Sequence, residues 1–288
     1  MTVLTNKIDF AVVISVNNAN PNGDPLNGNR PRQNYDGHGE ISDVAIKRKI
    51  SNRLQDMGEA IFVQSNDRSD DGLKSLRERA ETNENIKEIL KDKQKTEDDF
   101  AQAACKEWID VRSFGQVFAF KSSGSRGSGV SIGVRGPVSV HTATSIDPID
   151  ITSMQITKSV NTEPGEKRGS DTMGTKHRVD FGVYVFYGSI NTQLAEKTGF
   201  SRDDAEKIKQ ALITLFENDA SSARPEGSME IRKVYWWEHD SKLGQYSSAK
   251  VHRLLKIEAA TDEPSTFEDY SITLDELEGL AVEELDGQ

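Results

Sequence analysis

The stretch IDFAVVISVN (8–17), followed by NANPNGDPLNGNRPR (18–32) and SDVAIKRKISNRLQDM (42–57), decides how this chain is read. In the first piece Ile8, Phe10, Val12, Ile14 and Val16 alternate with Asp9, Ala11, Val13, Ser15 and Asn17, the period of a strand with one apolar face. Residues 17–32 hold three prolines, two glycines and six asparagines, which disfavours regular structure and favours tight turns. In the third piece Ser42 is placed to cap a helix over 42–57. Ile46, Ile50, Leu54 and Met57 fall on one face, with Lys47, Arg48, Lys49 and Arg53 on the flanks and back.

Working outward, residues 67–107 are polar and charge-mixed with helical spacing at Ile86, Ile89 and Leu90, then Phe100, Ala103 and Ala104. They read as an inserted helical lobe. IDVRSFGQVFAF (109–120) reads as strand, KSSGSRGSG (121–129) as a flexible loop, and 130–140 and 146–160 as strands around the turn RGP (135–137). Residues 161–177 are polar and glycine-bearing, a projecting loop or hairpin tip. In 178–190, Val179, Phe181, Val183, Val185 and Tyr187 oppose Tyr184 and Phe186, the pattern of a central strand. Ser201 and Asp204 open a helix over 202–218 striped by Ile208, Ala211, Leu212, Leu215 and Phe216, and EIRKVYWWE (230–238) closes the strand set. The expected fold is α+β, with a ferredoxin-like or RNA-recognition-motif-like core and two insertions.

The chain has 288 residues, 35% apolar and 29% charged, a soluble globular balance. No run approaches the roughly 18 apolar residues of a membrane span, and MTVLTNKIDF lacks the pattern of a signal peptide. Cys105 alone excludes an internal disulfide or a cysteine zinc cluster, so the cytoplasm is the expected compartment. The net charge of −11 is uneven. Residues 257–288 hold 11 acidic and no Lys or Arg residues, residues 59–110 balance to −5, and the remainder carries +5. Local charge, not the total, governs phosphate binding.

The histidines His38, His141, His177, His239 and His252 have no metal-ligand spacing, and no nucleotide-phosphate loop is present. No catalytic residue, cofactor or metal is expected. The turn-rich segment from Asn18 leads into a helix bearing Lys47 and Arg48, an arrangement suited to a phosphate backbone or equally to an ordinary loop before an amphipathic helix. Tyr235, Trp236 and Trp237 suit base stacking or core packing, and Asp24, Asp43 and Asp110 suit structural roles or Mg²⁺. In 261–288, Leu274, Leu277, Ala281 and Leu285 would align on one helical face. That segment is either a solvated end or a docked one that competes with RNA for cations.

NPNGDP (20–25), PR (31–32), GHG (37–39) and ISDVAIKRKI (41–50) resemble the backbone subunit of the subtype I-C CRISPR Cascade complex and its close relatives. DVRSFGQVF (110–118), RGPVS (135–139), QITKSVN (155–161), MGTKHRVDFGVY (173–184), ENDASSARPEGSM (217–229), His239 and the LG of 243–244 continue it in order, across roughly 8–256. The resemblance implies a right-hand shape. Its RNA-recognition-motif-like palm would be 1–58, 108–153 and 179–260, its helical fingers 59–107 and its thumb 154–178, leaving 261–288 as an acidic tail outside the pattern. It implies a non-catalytic scaffold whose copies stack head to tail along CRISPR guide RNA, present it to target DNA and join other Cascade subunits, with no membrane partner. The thumb would kink the guide and displace a base at intervals. Carried over residue by residue, the guide contacts would be Asn18, Asn20, Arg32, Ser42 and Lys47, then Arg30 and Arg48, with Lys158, Met173 and Lys176 from the thumb. Arg112, Arg135 and Arg224 lie in matching motifs, as RNA contacts or as core ion pairs. Ser51 departs from the pattern where a basic residue is expected. Two enzymatic alternatives stand beside this reading: target-RNA cleavage with a metal at Asp24 or Asp43, and guide processing with His38 or another histidine as base.

Overall fold

The computed structural model describes residues 2–92, 94–120, 130–157 and 173–288. Its strands are β1 (Ile8–Ala19), β2 (Gly23–Asp24), β3 (Arg30–Pro31), β4 (His38–Ile41), β5 (Gly115–Phe120), β6 (Val130–Arg135), β7 (Val138–Val140), β8 (Ala143–Pro148), β9 (Ile151–Thr157), β10 (Met173–Ile190), β11 (Met229–Glu238), β12 (Leu255–Ala259), β13 (Tyr270–Leu274) and β14 (Glu283–Asp286). Its helices are α1 (Asp43–Asp56), α2 (Leu76–Thr82), α3 (Glu84–Lys91), α4 (Glu97–Glu107), α5 (Ile109–Phe114), α6 (Thr192–Thr198), α7 (Arg202–Ile213) and α8 (Ser248–His252).

A large antiparallel sheet runs β14-β11-β1-β10-β8-β4, with β7 and β9 also paired to β10. One face meets α1 and α7. Phe10, Val12, Ile14 and Val16 of β1 pack there against Ile46, Ile50 and Leu54 of α1 and Ile208, Ala211 and Leu212 of α7. Burying each such Ile or Leu contributes about 1.5–3 kcal/mol. The sequence pattern holds at these helices. Ser42 accepts from the Ala45 N–H at 3.3 Å, and Ser201 and Asp204 form a reciprocal capping box.

The alternating half of β1 is not a solvent face. Ala11 and Val13 pack with Val183, Tyr235, Trp237, Val251, Leu254 and Leu255 in a second layer built from α8, β12 and β13. Tyr235, Trp236 and Trp237 are all buried, so base stacking by them gives way to core packing. Val179, on the Phe181 face by simple alternation, instead joins the first core.

Three further expectations are corrected. IDVRSF is helix α5, not strand. Its buried Asp110 accepts from the Phe62 and Val63 N–H groups at 2.8 and 2.9 Å, fastening the turn ahead of the helical lobe. The lobe's core joins Ile86, Phe100 and Ala104 to Phe118 and Ile132 of the β5–β6 hairpin, beyond residue 107, while Leu90 stays exposed. The acidic end forms no α-helix through Leu274, Leu277, Ala281 and Leu285, only a short 3-10 turn at Phe267–Asp269. β13 pairs with β12 and β14 pairs with β11, so 261–288 is folded onto the sheet. No helix among the described residues is long and apolar enough to cross a membrane.

Candidate nucleic-acid interface

The turn-rich segment after β1 is ordered by its asparagines. Asn18 and Asn29 adopt left-handed backbone with φ of 54° and 60°, a conformation Asn tolerates better than most residues. β2 and β3 pair as a miniature hairpin, where irregular turns alone were expected. Asn20 is buried, donates from Nδ2 to the Asn29 carbonyl at 2.6 Å and hangs its N–H on the Ala223 carbonyl at 2.9 Å. Asn22 accepts the Ser42 N–H at 2.9 Å through its side chain and the Arg32 N–H at 3.0 Å through its carbonyl. The loop, the start of α1 and the 217–228 segment are thus one framework.

This framework seats against the β9–β10 hairpin. Arg30 donates to Ser153 Oγ at 3.1 Å, and Ser153 in turn bonds His177 Nδ1 at 2.8 Å. Cross-strand register places Met173 opposite Thr157, Thr175 opposite Gln155 and His177 opposite Ser153 on one hairpin face. Gly174 with Ile156, and Lys176 with Met154, occupy the other. Exposed apolar groups therefore stand on both faces: Met173 on one, Met154 and Ile156 on the other.

Among the nominated residues, Asn18, Arg30, Arg32, Lys47, Met173 and Lys176 are exposed or half-buried on this loop, helix and hairpin. Arg32 lies 3.6 Å from Asp24, and Lys47 pairs with Asp43 at 3.0 Å. Ser42 spends an oxygen lone pair on the helix cap, which leaves its hydroxyl proton as a donor. Lys158, the cations Lys167 and Arg168, and the glycine–serine loop 121–129 lie outside the described residues.

Other basic residues are tied inward. Arg48 donates to the Val63 carbonyl. Lys49 is buried beside Asp219, and burial lowers its pKa to about 8 against the pull of that carboxylate. Arg53 pairs with Glu217, and Arg224 with Asp219 at 3.1 Å. The helix that reads as a basic grip is thus largely a set of internal ties, with Lys47 facing outward. Ser51 is buried on α1 and donates to the Lys47 carbonyl at 2.9 Å, so the departure from the motif has a local fit.

Arg112 resolves as an ion pair. Its Nε and terminal nitrogen lie 3.1 and 2.7 Å from Asp204 Oδ1, and Asp204 is 1% exposed. Burial would raise the Asp204 pKa, but the Arg112 and Ser201 hydrogen bonds hold it below the ordinary carboxylate range. Arg112→Ala strands that anion and should destabilise the fold by about 3 kcal/mol while leaving the salt dependence of RNA binding unchanged. Denaturant melts and RNA titrations check the two halves. Arg135 is exposed at the end of β6, opposite Gly115. A Cβ at Gly136 would come 2.3 Å from the Ser113 carbonyl oxygen, so the motifs at 110–118 and 135–139 pack backbone to backbone.

Sequence reasoning missed His177 as the link between hairpin and loop, although it stands in the MGTKHRVDFGVY stretch. It also missed Leu26 and Tyr35, fully exposed on the segment between β2 and β4, for which solitary apolar residues give no periodic signal. Asp24 caps the turn at Leu26, and His38 Nδ1 bonds the Ser145 carbonyl at 2.8 Å. No group of three or more His, Cys, Asp or Glu residues among the described residues is arranged to hold a metal.

The family model for CRISPR-associated protein Cas7 matches residues 6–275. CRISPR-associated protein Cas7 of Haloferax volcanii is 28% identical over 274 residues, covering 89% of this chain and 76% of that protein. Two solved chains align at 16% identity. One comes from a CRISPR RNA-guided surveillance complex in a pre-nicking state, with a TM-score of 0.45 over 80% of this chain and 78% of its own. The other comes from a CRISPR RNA-guided surveillance complex, with a TM-score of 0.46 over 80% and 68%. A family match running almost the length of the chain, through the loop, the basic helix and both strands of the hairpin, decides the assignment: this chain belongs to the CRISPR-associated protein Cas7 family.

Proposed function

We propose that this chain is a non-catalytic, cytoplasmic backbone subunit that grips CRISPR guide RNA, stacks head to tail with further copies of itself and presents the guide to target DNA alongside other Cascade subunits. The observation that carries this reading is the joining of the 17–42 loop to the β9–β10 hairpin through Arg30, Ser153 and His177, which sets cations beside strands that expose Met154, Ile156 and Met173. A wedge between two bases needs an apolar group for each of them. Met173 on one face and Met154 with Ile156 on the other meet that requirement, and His177 and Lys176 add polar or cationic character on the two sides. The inner strand order β11-β1-β10-β8, with α1 following β1 and α7 following β10, supports reading the sheet as a ferredoxin-like palm. Assignment to subtype I-C rests on the sequence motifs. Asp24, Asp43 and His38 each engage a partner within the chain, which favours structural roles for them.

The wedge is tested by footprinting the assembled complex on a thymine-containing target with permanganate. Wild type should show regularly spaced reactive thymines opposite displaced guide bases. Met173→Gly and Met154→Gly should each weaken that pattern, and the double variant should erase it. Guide affinity should fall less than about tenfold, because the phosphate contacts remain. An unchanged pattern in the double variant removes the hairpin from this role.

A further inference from the structure

The acidic C-terminal segment does more than fill an edge. β14 lies outermost in the sheet, separated from β10 and its hairpin by β11 and β1. Its Leu285 packs on the first core, and Leu280 is buried under the second layer. Gly287 sits so close to β11 that an added Cβ would meet the Ile231 carbonyl oxygen at 1.8 Å, so this seat admits no side chain. Beneath the segment the register of β11 slips against Val13 and Ile14, inserting Arg232 as an extra residue beside Lys233. Such a bulge re-aims side chains, here two consecutive cations on the strand next to β14.

Acidic groups from 261–288 meet those cations. Glu284 and Asp286 each lie 2.8 Å from Lys233. Glu268 lies 3.2 Å from Arg232, which also meets Glu230 at 2.8 Å, and Glu283 lies 2.8 Å from Lys209 of α7, which also meets Glu206 at 3.1 Å. Lys209 also stands over the Trp236 ring and Arg232 over Phe267, so each is backed by an aromatic face. Arg232 and Lys233 keep part of their side chains exposed, and cations so placed engage a phosphate backbone when uncovered.

We propose that the acidic segment is an internal polyanion mimic. It occupies the cationic flank formed by Arg232 and Lys233 on the second-layer face of the sheet and confines single-stranded nucleic acid to the loop-and-hairpin surface. This deepens the RNA-binding reading above and rests on it.

The test uses the full chain and a labelled uridine homopolymer at low salt. E284Q/D286N removes the two charges that face Lys233 and keeps the strand's size. It should bind the homopolymer about tenfold more tightly, with a salt slope steeper by about 0.7 for each phosphate that the uncovered cations engage. Adding R232A/K233A should return affinity and slope to wild type. Truncation to residues 1–280, which leaves Leu280 in place, should give the same gain and serves if the amide variant melts early. No gain in either variant, or a gain that survives R232A/K233A, overturns the proposal. Variants in the 17–42 loop, measured in parallel, report on the RNA-binding reading itself, since the gain at β11 does not depend on them.

Discussion

Asp9→Ala should remove about 3 to 5 kcal/mol of folding stability, enough to unfold a marginal domain at physiological temperature. Asp9 lies at the start of β1, opposite Trp237 on one side and Ser189 on the other, and is fully buried. His239 Nε2 donates to Oδ2 at 2.8 Å, and Lys7 Nζ lies 3.0 Å from the same oxygen. The Gln245 N–H and side-chain oxygen lie 3.1 and 3.0 Å from His239 Nδ1, which holds the ring against Asp9. His252 Nε2 donates to the Gly188 carbonyl at 3.1 Å and stands 3.7 Å from the second carboxylate oxygen. The start of β1, the end of β11 and α8 meet on this one anion, so its removal leaves buried donors without an acceptor and loosens α8 from the sheet.

The same cluster sets an acid limit. Burial would raise the Asp9 pKa, but hydrogen bonds from His239, Ser248 and Lys7 outweigh it and hold the group below its ordinary value. The stability Asp9 contributes is therefore present above the unfolded-state pKa of about 3.9 and is lost as pH falls through the lowered native value. Burial also lowers the His252 pKa, so the unfolded chain takes up that proton first and stability begins to fall below about pH 6.5. Urea denaturation from pH 7 to pH 3 should show both limbs in wild type and loss of the lower one in Asp9→Ala. A change under about 1 kcal/mol at pH 7 would mean that the anion is not what joins these segments.

Arg30→Ala/Arg32→Ala/Lys176→Ala should lower guide RNA affinity by two to three orders of magnitude, at about tenfold for each charge-assisted hydrogen bond to phosphate that is removed. These side chains are half-buried or exposed, so the fold should persist with a small change in melting temperature. On a single strand the salt slope should become shallower by about 0.7 for each phosphate released, close to 2 for the set, regardless of guide sequence. Titrations between about 50 and 200 mM salt read both quantities. Unchanged affinity and slope in a folded triple variant would remove this surface from the RNA path.

The helices α1 and α7 were legible because their apolar residues recur with helical spacing and their caps are local. β1 was legible as a strand, but its second buried face was not. Ala11 and Val13 are covered by α8 and β12, which lie at the far end of the chain, and nothing local announces that layer. IDVRSF alternates like a strand, yet Asp110 is consumed by two backbone donors of the preceding turn and the segment coils. At the site, the turn-rich loop and the hairpin could be nominated from motifs. Which cations face outward could not. Arg48, Lys49, Arg53, Arg112 and Arg224 find their partners through tertiary packing, and a basic residue on a helix flank looks the same in sequence whether it meets phosphate or a buried carboxylate.

The most direct test is electron microscopy of the full chain co-expressed with a CRISPR guide RNA. The account predicts arcs or helical filaments of repeated subunits, with the guide running over the 17–42 loop and the β9–β10 hairpin entering between bases at a fixed interval. Isolated subunits without RNA, or a guide lying along β11 and β14, would contradict it.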